Sequence, residues 1–392
     1  MSSQTAATAD PLAAELVAAC ASRVTRLRSV LETAGVDALL VGHHTDIRYL
    51  TGFAGDDSLL LVTGEDTAPV IITDARHDQL LEPWRHSGAD DVAEVVIATR
   101  HQLGKAARQW CADRGVSRLG IQAEHVTLAD RRAMDAEMQE IGIVETDGLV
   151  GTLRLHKDLM EVAAIERAIA IHQEAMQAAI DRLTPGMREM EFAAAIEYEM
   201  KIRGASGPSF DTCVSAGANS AVIHYQSART RIEPGTLLVD WGAVVDGYCS
   251  DMTRTWGVGR LPGKIGELYG IVLDAQLAAI DACAPGRSCA EVDGVARKII
   301  TDAGYGEQFG HGLGHGLGLD VHEGPYFNPQ ATKTVLATGM VMTVEPGIYL
   351  PGIGGVRIED DVLITDDGCR VLGSFPKDAA GAVPAPMGAA HA

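Results

Sequence analysis

At 392 residues the chain is long for one hydrophobic core and predicts two domains, and it has no run of about 18 apolar residues that could span a bilayer. A net charge of −21 argues against nucleic acid or an anionic membrane as partner, because holding phosphates needs clustered Lys and Arg. Seven scattered cysteines, an odd number with no CxxC pair, predict a reducing, cytoplasmic setting.

Residues 1–10 read as a disordered lead-in. Asp10 and Pro11 form an N-cap and first-turn pair for a helix expected to run to Gly35. Its apolar start carries Glu15 and lacks a basic leader, so it does not read as a signal peptide. Apolar runs at 38–41, 59–62, 70–72 and 95–97 then alternate with helical stretches at 102–114 and 129–138. That alternation predicts an α/β domain over 11–150. TGFAGDD, at 51–57, lacks the GK[ST] ending of a phosphate loop and reads as a turn.

A long helix is expected from past Lys157 to Leu183, where Thr184, Pro185 and Gly186 stop it, and a second over 187–202. Beyond Phe210 strands and turns take over, interrupted by helices at 265–283 and 290–303, and strands resume at 340–349 and 356–364. Strands grouped apart from helices predict an α+β domain over 155–375. The Ala-, Pro- and Gly-rich stretch 378–392 reads as a disordered tail. No internal repeat is evident by eye.

Asp240 in LLVDWGA and Asp251 in YCSDMTRTW flank Asp246-Gly247, a strong signal for a two-residue hairpin turn. If that turn centres the hairpin, Asp251 stands opposite Gly242 and the two aspartates share a face as a diagonal pair. Two carboxylates on an otherwise apolar face are costly unless a positive charge sits there or the face is wet. Glu345 in MTVEPGIYL and Glu359 in GGVRIEDD interrupt apolar strand patterns in the same way. An ion pair between Arg357 and Glu359 is the structural alternative for the latter. In FGHGLGHGLGLDVHE, 309–323, glycine at every even position from 310 to 318 rules out a helix and allows close backbone approach around His311, His315 and His322. Solvated imidazoles in a turn are the alternative there. Asp240, Asp251, His315, Glu345 and Glu359 together make four carboxylates and one imidazole, a set that balances two divalent cations and favours Mn or another fairly hard metal. Two such ions lower the pKa of a shared water, which points to hydrolysis.

HGLGHGLGLDVHEGP, VDWGA followed by SDMTRTW, VEPGIY and GGVRIED, with GPSFDT at 207–212 and AVIHYQ around His224, resemble the signature of the pita-bread metallopeptidases, the family of Xaa-Pro aminopeptidases and prolidases. The likeness covers about 155–375, and the first domain is similar, more weakly, to that family's creatinase-like N-terminal domain. The resemblance implies a creatinase-like α/β domain followed by an α+β pita-bread catalytic domain that hydrolyses the Xaa-Pro bond at the N-terminus of peptides. It implies two divalent metals, Mn first and Co or Zn as alternatives, with Asp240 on one, Asp251 and Glu359 bridging, and His315 and Glu345 on the other. Glu345 would also shuttle the proton of the attacking water, His224 and His322 would steady the intermediate and leaving group, and Arg357 would support the bridging carboxylate. His311 and Tyr349 would line the substrate pocket. Dipeptide-cleaving members commonly carry an arginine after the HExP segment; here Tyr326 follows Pro325. The expectation is therefore an aminopeptidase for longer peptides, a homodimer without nucleic-acid or membrane partners. A prolidase, a creatinase-like hydrolase and a catalytically silent binding protein are the alternatives. The chain has neither HExxH nor GxSxG, which removes zinc-helix proteases and serine hydrolases of that type.

Overall fold

Helix α1 spans Pro11–Leu31 in the computed structural model, which describes residues 11–184 and 186–378. The expected lead-in (1–10) and nearly all of the expected tail (379–392) lie outside the described residues. The helix stops four residues short of Gly35, whose φ of 69° instead closes the exit turn onto Glu32. The chain divides into two units, one ending at Arg154 and the other beginning at Leu155.

The first unit continues with β1 (Ala38–Val41), α2 (His44–Thr51), β2 (Leu59–Thr63), β3 (Val70–Thr73), α3 (Asp78–His86) and β4 (Glu94–Ile97). It closes with α4 (Leu103–Asp113), β5 (Arg118–Gln122), α5 (Leu128–Glu137), β6 (Gly142–Thr146) and α6 (Leu149–Arg154). The six strands form one sheet in the order β4-β3-β2-β1-β5-β6. β2 runs antiparallel to β1 and β3, and the remaining pairs are parallel. β1 and β3 are buried along their whole length, which is why they read as unbroken apolar runs. β5 and β6 were not expected: each opens on an exposed residue and carries a glycine, which breaks the apolar signal. TGFAGDD is a helix exit, with Gly52 left-handed at φ 72°.

In the second unit α7 (Leu159–Ile180) starts at a capping box made by Asp158 and Glu161, and α8 (Glu189–Ile202) follows. Then come β7 (Gly207–Pro208), β8 (Cys213–Ala216), β9 (Gly235–Trp241), β10 (Ala243–Val245), β11 (Tyr248–Cys249) and β12 (Met252–Val258). Helices α9 (Gly263–Ala282) and α10 (Cys289–Asp302) lead into β13 (Gly314–Gly316), β14 (Glu323–Phe327) and β15 (Val341–Val344). The unit ends with β16 (Gly347–Leu350), β17 (Gly354–Arg357), β18 (Asp360–Ile364) and β19 (Cys369–Val371).

This unit is an internal repeat, contrary to the reading by eye. Ala178-Ala179-Ile180-Asp181 and Ala278-Ala279-Ile280-Asp281 are each followed, after three intervening residues, by Pro-Gly. The buried positions of α7, at 172, 175, 176, 179 and 180, recur in α9 at 272, 275, 276, 279 and 280. Gly186 (φ 80°) and Gly286 (φ 85°) turn both chains into their second helix, and Glu191 and Glu291 each accept a backbone N–H three residues back at 2.8 Å. Each helix pair covers an antiparallel sheet, β12-β9-β8 in the first half and β14-β13-β15-β18-β19 in the second. Each half has its own apolar core.

Two expected strands are split. β15 and β16 replace 340–349 because Pro346 has no N–H for the ladder, and β17 and β18 replace 356–364. β16 pairs with β17 while β15 pairs with β18, so the chain changes sheet beside Glu345 and again beside Glu359.

Candidate metal centre

Asp240 lies on β9, flanked by Cys213 of β8 and Thr253 of β12. Asp246 (φ 50°) and Gly247 (φ 83°) form the two-residue turn that joins Val245 to Tyr248, and the same register continues to Trp241 and Met252. Asp251 is thereby set across from Gly242, where a Cβ would overlap the Ser250 carbonyl oxygen. The Asp251 N–H donates to Asp361 Oδ2 at 3.1 Å, and only 5% of Asp251 is exposed, so Asp251 does not sit on a wet face.

The glycines of 309–323 have a steric cause. A Cβ at Gly312, Gly314 or Gly316 would overlap the carbonyl oxygen of Phe327, Thr343 or Gly324 respectively. The close approach they permit lets β13 lie between β14 and β15 and fixes His315. Its backbone N–H donates to Thr343 Oγ1 at 3.0 Å. Its Nδ1 donates to the Gly316 carbonyl at 3.0 Å, which leaves the Nε2 lone pair facing Glu345 Oε1 at 3.4 Å and Asp251 Oδ2 at 3.8 Å.

Glu359 accepts from Thr253 Oγ1 at 2.6 Å, and Glu345 from Thr343 Oγ1 at 3.2 Å. Arg357 does not pair with Glu359. Its Nη2 meets Asp240 Oδ2 at 2.6 Å, its Nη1 donates to the Tyr349 hydroxyl at 3.1 Å and its Nε to Thr253 Oγ1 at 2.9 Å. The split between β17 and β18 separates the two side chains that an unbroken strand would have put on one face.

A cavity of about 570 Å³ opens onto this cluster and is also lined by His224, His311, His322, Asp211 and Tyr326. His311 Nε2 lies 3.0 Å from the Tyr349 hydroxyl, and the His322 ring sits 4.4 Å from that of His315. Tyr349 touches the cluster through Arg357 and His311. The stretch carrying His224 is tied to Glu189, the first residue of α8. Glu189 accepts from Ala216 N (2.7 Å), Asn219 Nδ2 (2.9 Å), the Tyr225 hydroxyl (2.7 Å) and Ala228 N (3.2 Å).

The site is electrostatically incomplete as a set of protein groups alone. Burial, reinforced by neighbouring carboxylates, holds the Asp251 and Glu359 carboxyls well above the ordinary range, and burial pushes Glu345 up to about 7. Burial pushes His311 down to about 4 and lowers His315 and His322, so the imidazoles are neutral donors. Asp240 Oδ1 and Asp251 Oδ1 are buried without a hydrogen-bond partner. Donor atoms of Asp251, His315 and Glu359 all lie within 4.8 Å of one another. Orphaned carboxylate oxygens beside a neutral imidazole fit divalent cations with mainly oxygen ligands.

Thr253, Thr343 and Asp361 were missed by sequence reasoning. Each lies two residues from a carboxylate of the cluster, the spacing that shares a strand face, and that signal was available. Glu189 had none, since an acid in a first helical turn is ordinary.

A family model described as metallopeptidase family M24 matches residues 163–366, and one for the creatinase/prolidase N-terminal domain matches 23–156. The Xaa-Pro dipeptidase of Pyrococcus horikoshii is 37% identical over 358 residues, covering 89% of this chain and 96% of that protein. The solved structure of an Xaa-Pro dipeptidase from Bacillus anthracis superposes with a TM-score of 0.87 at 35% identity, covering 93% of this chain and 99% of that one. An X-Pro aminopeptidase from Thermotoga maritima gives 0.82 at 32% identity, covering 91% and 99%.

Proposed function

This chain belongs to metallopeptidase family M24, and we propose that it is an exopeptidase that cleaves the bond before a proline at position two of peptides longer than dipeptides. The observation that carries the length preference is the cation inventory of the cavity. Arg357 is the one Lys or Arg among its described lining residues, and it is committed to Asp240, Tyr349 and Thr253. Tyr326 and Asn328 line the wall without a charge to hold a dipeptide's carboxylate. The same reading puts the protein in the cytoplasm, where its seven free cysteines stay reduced.

In this reading Asp240, Asp251, His315, Glu345 and Glu359 hold two divalent cations, Mn being the best match to the oxygen-rich set. When bound, the ions polarise the scissile carbonyl and lower the pKa of water toward neutrality. Glu345 accepts the proton of the attacking water and passes it to the proline nitrogen. That nitrogen has no hydrogen in the peptide and must be protonated to leave. His224 and His322 steady the carbonyl oxygen and the departing amine. Arg357 locks Asp240, and through Thr253 it orients Glu359.

Dipeptidase activity is the second reading, favoured by relatives that bear that name. The two separate in one assay of metal-stripped protein reconstituted with Mn, Co or Zn. Activity appears only after metal addition, and Xaa-Pro tripeptides exceed dipeptides in kcat/KM by about tenfold or more, the worth of one charge-assisted contact that the dipeptide carboxylate fails to find. Equal or reversed rates remove the length preference and leave a dipeptidase.

Glu189→Ala is expected to lower kcat by about 10–100-fold, because four donors lose their acceptor and the His224 stretch loosens. Bound metal, counted by plasma mass spectrometry, stays at the parental level since Glu189 touches none of the five donors. An unchanged kcat would remove His224 from the reaction or Glu189 from its support.

A further inference from the structure

The first unit holds a second convergence of metal-ligating side chains. Strands β1 and β5 are parallel neighbours, and the segments leaving their carboxyl ends carry His43 and His125. The crevice outside the carboxyl ends of such strands is where open α/β sheets take ligands. Gln122, the last residue of β5, closes it: its Oε1 accepts the backbone N–H of Gly42 (3.2 Å) and of His43 (3.3 Å), and its Nε2 donates to Asp46 Oδ2 at 2.6 Å. Asp46 is 1% exposed, and its other oxygen accepts from Arg154 Nη1 at 2.9 Å, so the carboxylate is fixed.

Both imidazoles aim at that carboxylate. His43 Nδ1 stands 3.4 Å and His125 Nε2 3.8 Å from Asp46 Oδ2, and the three donor atoms lie within 4.8 Å of one another. Oδ2 has two lone pairs, and Gln122 occupies one, so a single lone pair faces two ring nitrogens. His43 Nδ1 is buried and makes no hydrogen bond of good geometry with that oxygen. A shared cation serves all three. Zinc bonds of about 2.0–2.2 Å to N and O set tetrahedral ligand separations of roughly 3.3–3.5 Å, within about half an ångström of the two distances seen. The rings are stacked at 3.8 Å and 7°, and their partial exposure leaves room to turn onto an ion.

We propose that His43, Asp46 and His125 form a zinc-type site, with water as the fourth ligand, that clamps the start of α2 to the segment between β5 and α5. Two imidazoles and one carboxylate select a borderline divalent ion. The site is independent of the second unit's centre and needs no reaction.

The test is a zinc count on the metal-stripped full chain after dialysis against buffered zinc, for the parent and for His43→Gln and His125→Gln. Each variant is expected to hold one ion fewer per chain, and the deficit persists in an Asp251→Asn background. Equal counts overturn the proposal. Diethyl pyrocarbonate labelling of the parent, read by peptide mass spectrometry, needs no variant. Zinc should slow modification of both His43 and His125 by about tenfold, and labelling unaffected by zinc overturns the site as surely as equal counts.

Discussion

Asp251→Ala is expected to reduce hydrolysis of Xaa-Pro peptides by about 10³-fold or more while raising the melting temperature of the metal-stripped protein. Both effects have one origin. The carboxylate is almost fully buried, one oxygen has no hydrogen-bond partner, and Glu359, Asp240, Asp361 and Glu345 add repulsion to the cost of burial. Without metal the group opposes folding. Its donor oxygen lies within 4.8 Å of those of both His315 and Glu359, so in the proposed two-metal centre its loss would remove a shared ligand. Steady-state kinetics, metal counting and calorimetry on one preparation check the pair. A variant as fast as the parent would defeat the two-metal reading, and a lower metal-free Tm would defeat the electrostatic account.

The metal-stripped protein should also lose stability as pH rises, and regain it on metal addition. A carboxyl whose folded pKa is raised contributes fully below its unfolded pKa and loses that contribution as pH climbs through the folded value. For Glu345 the window runs from an ordinary 4.5 to about 7, worth about 3 kcal/mol, and Asp251 and Glu359 shift in the same direction. Groups elsewhere pull the other way; buried His172, pushed down to about 3, destabilises the fold as pH falls below 6.5. The comparison is therefore with Glu345→Gln. Between pH 5 and 8 the metal-free parent should lose several degrees of Tm relative to that variant, and saturating Mn should reverse the loss in the parent. Parallel pH profiles for the two metal-free chains would count against it.

The five proposed donors stand out in the sequence because each violates its surroundings: an acid inside an apolar strand, or a histidine inside a glycine ladder that no helix would accept. Their local geometry is less legible. Apolar patterning predicts continuous strands over 340–349 and 356–364 and allows an Arg357–Glu359 pair, whereas both strands change sheet at the acid, and the arginine reaches Asp240, 117 residues away in sequence. Long-range pairing of this kind leaves no mark in a local pattern. The pita-bread repeat did leave one, in AAID followed by Pro-Gly at 178–186 and 278–286. It escaped because the intervening residues diverged while only their burial was retained.

That duplication bears on how two ions would share the proposed centre. One half supplies Asp240 and Asp251, the other Glu345 and Glu359, each pair placed near the end of a central strand and just before the next strand of the same sheet. A perfectly mirrored arrangement would make two equivalent pockets. His315 has no partner across that approximate dyad among the five proposed donors, so in a two-ion centre one pocket would be softer than the other and filling would proceed in two steps of unequal affinity.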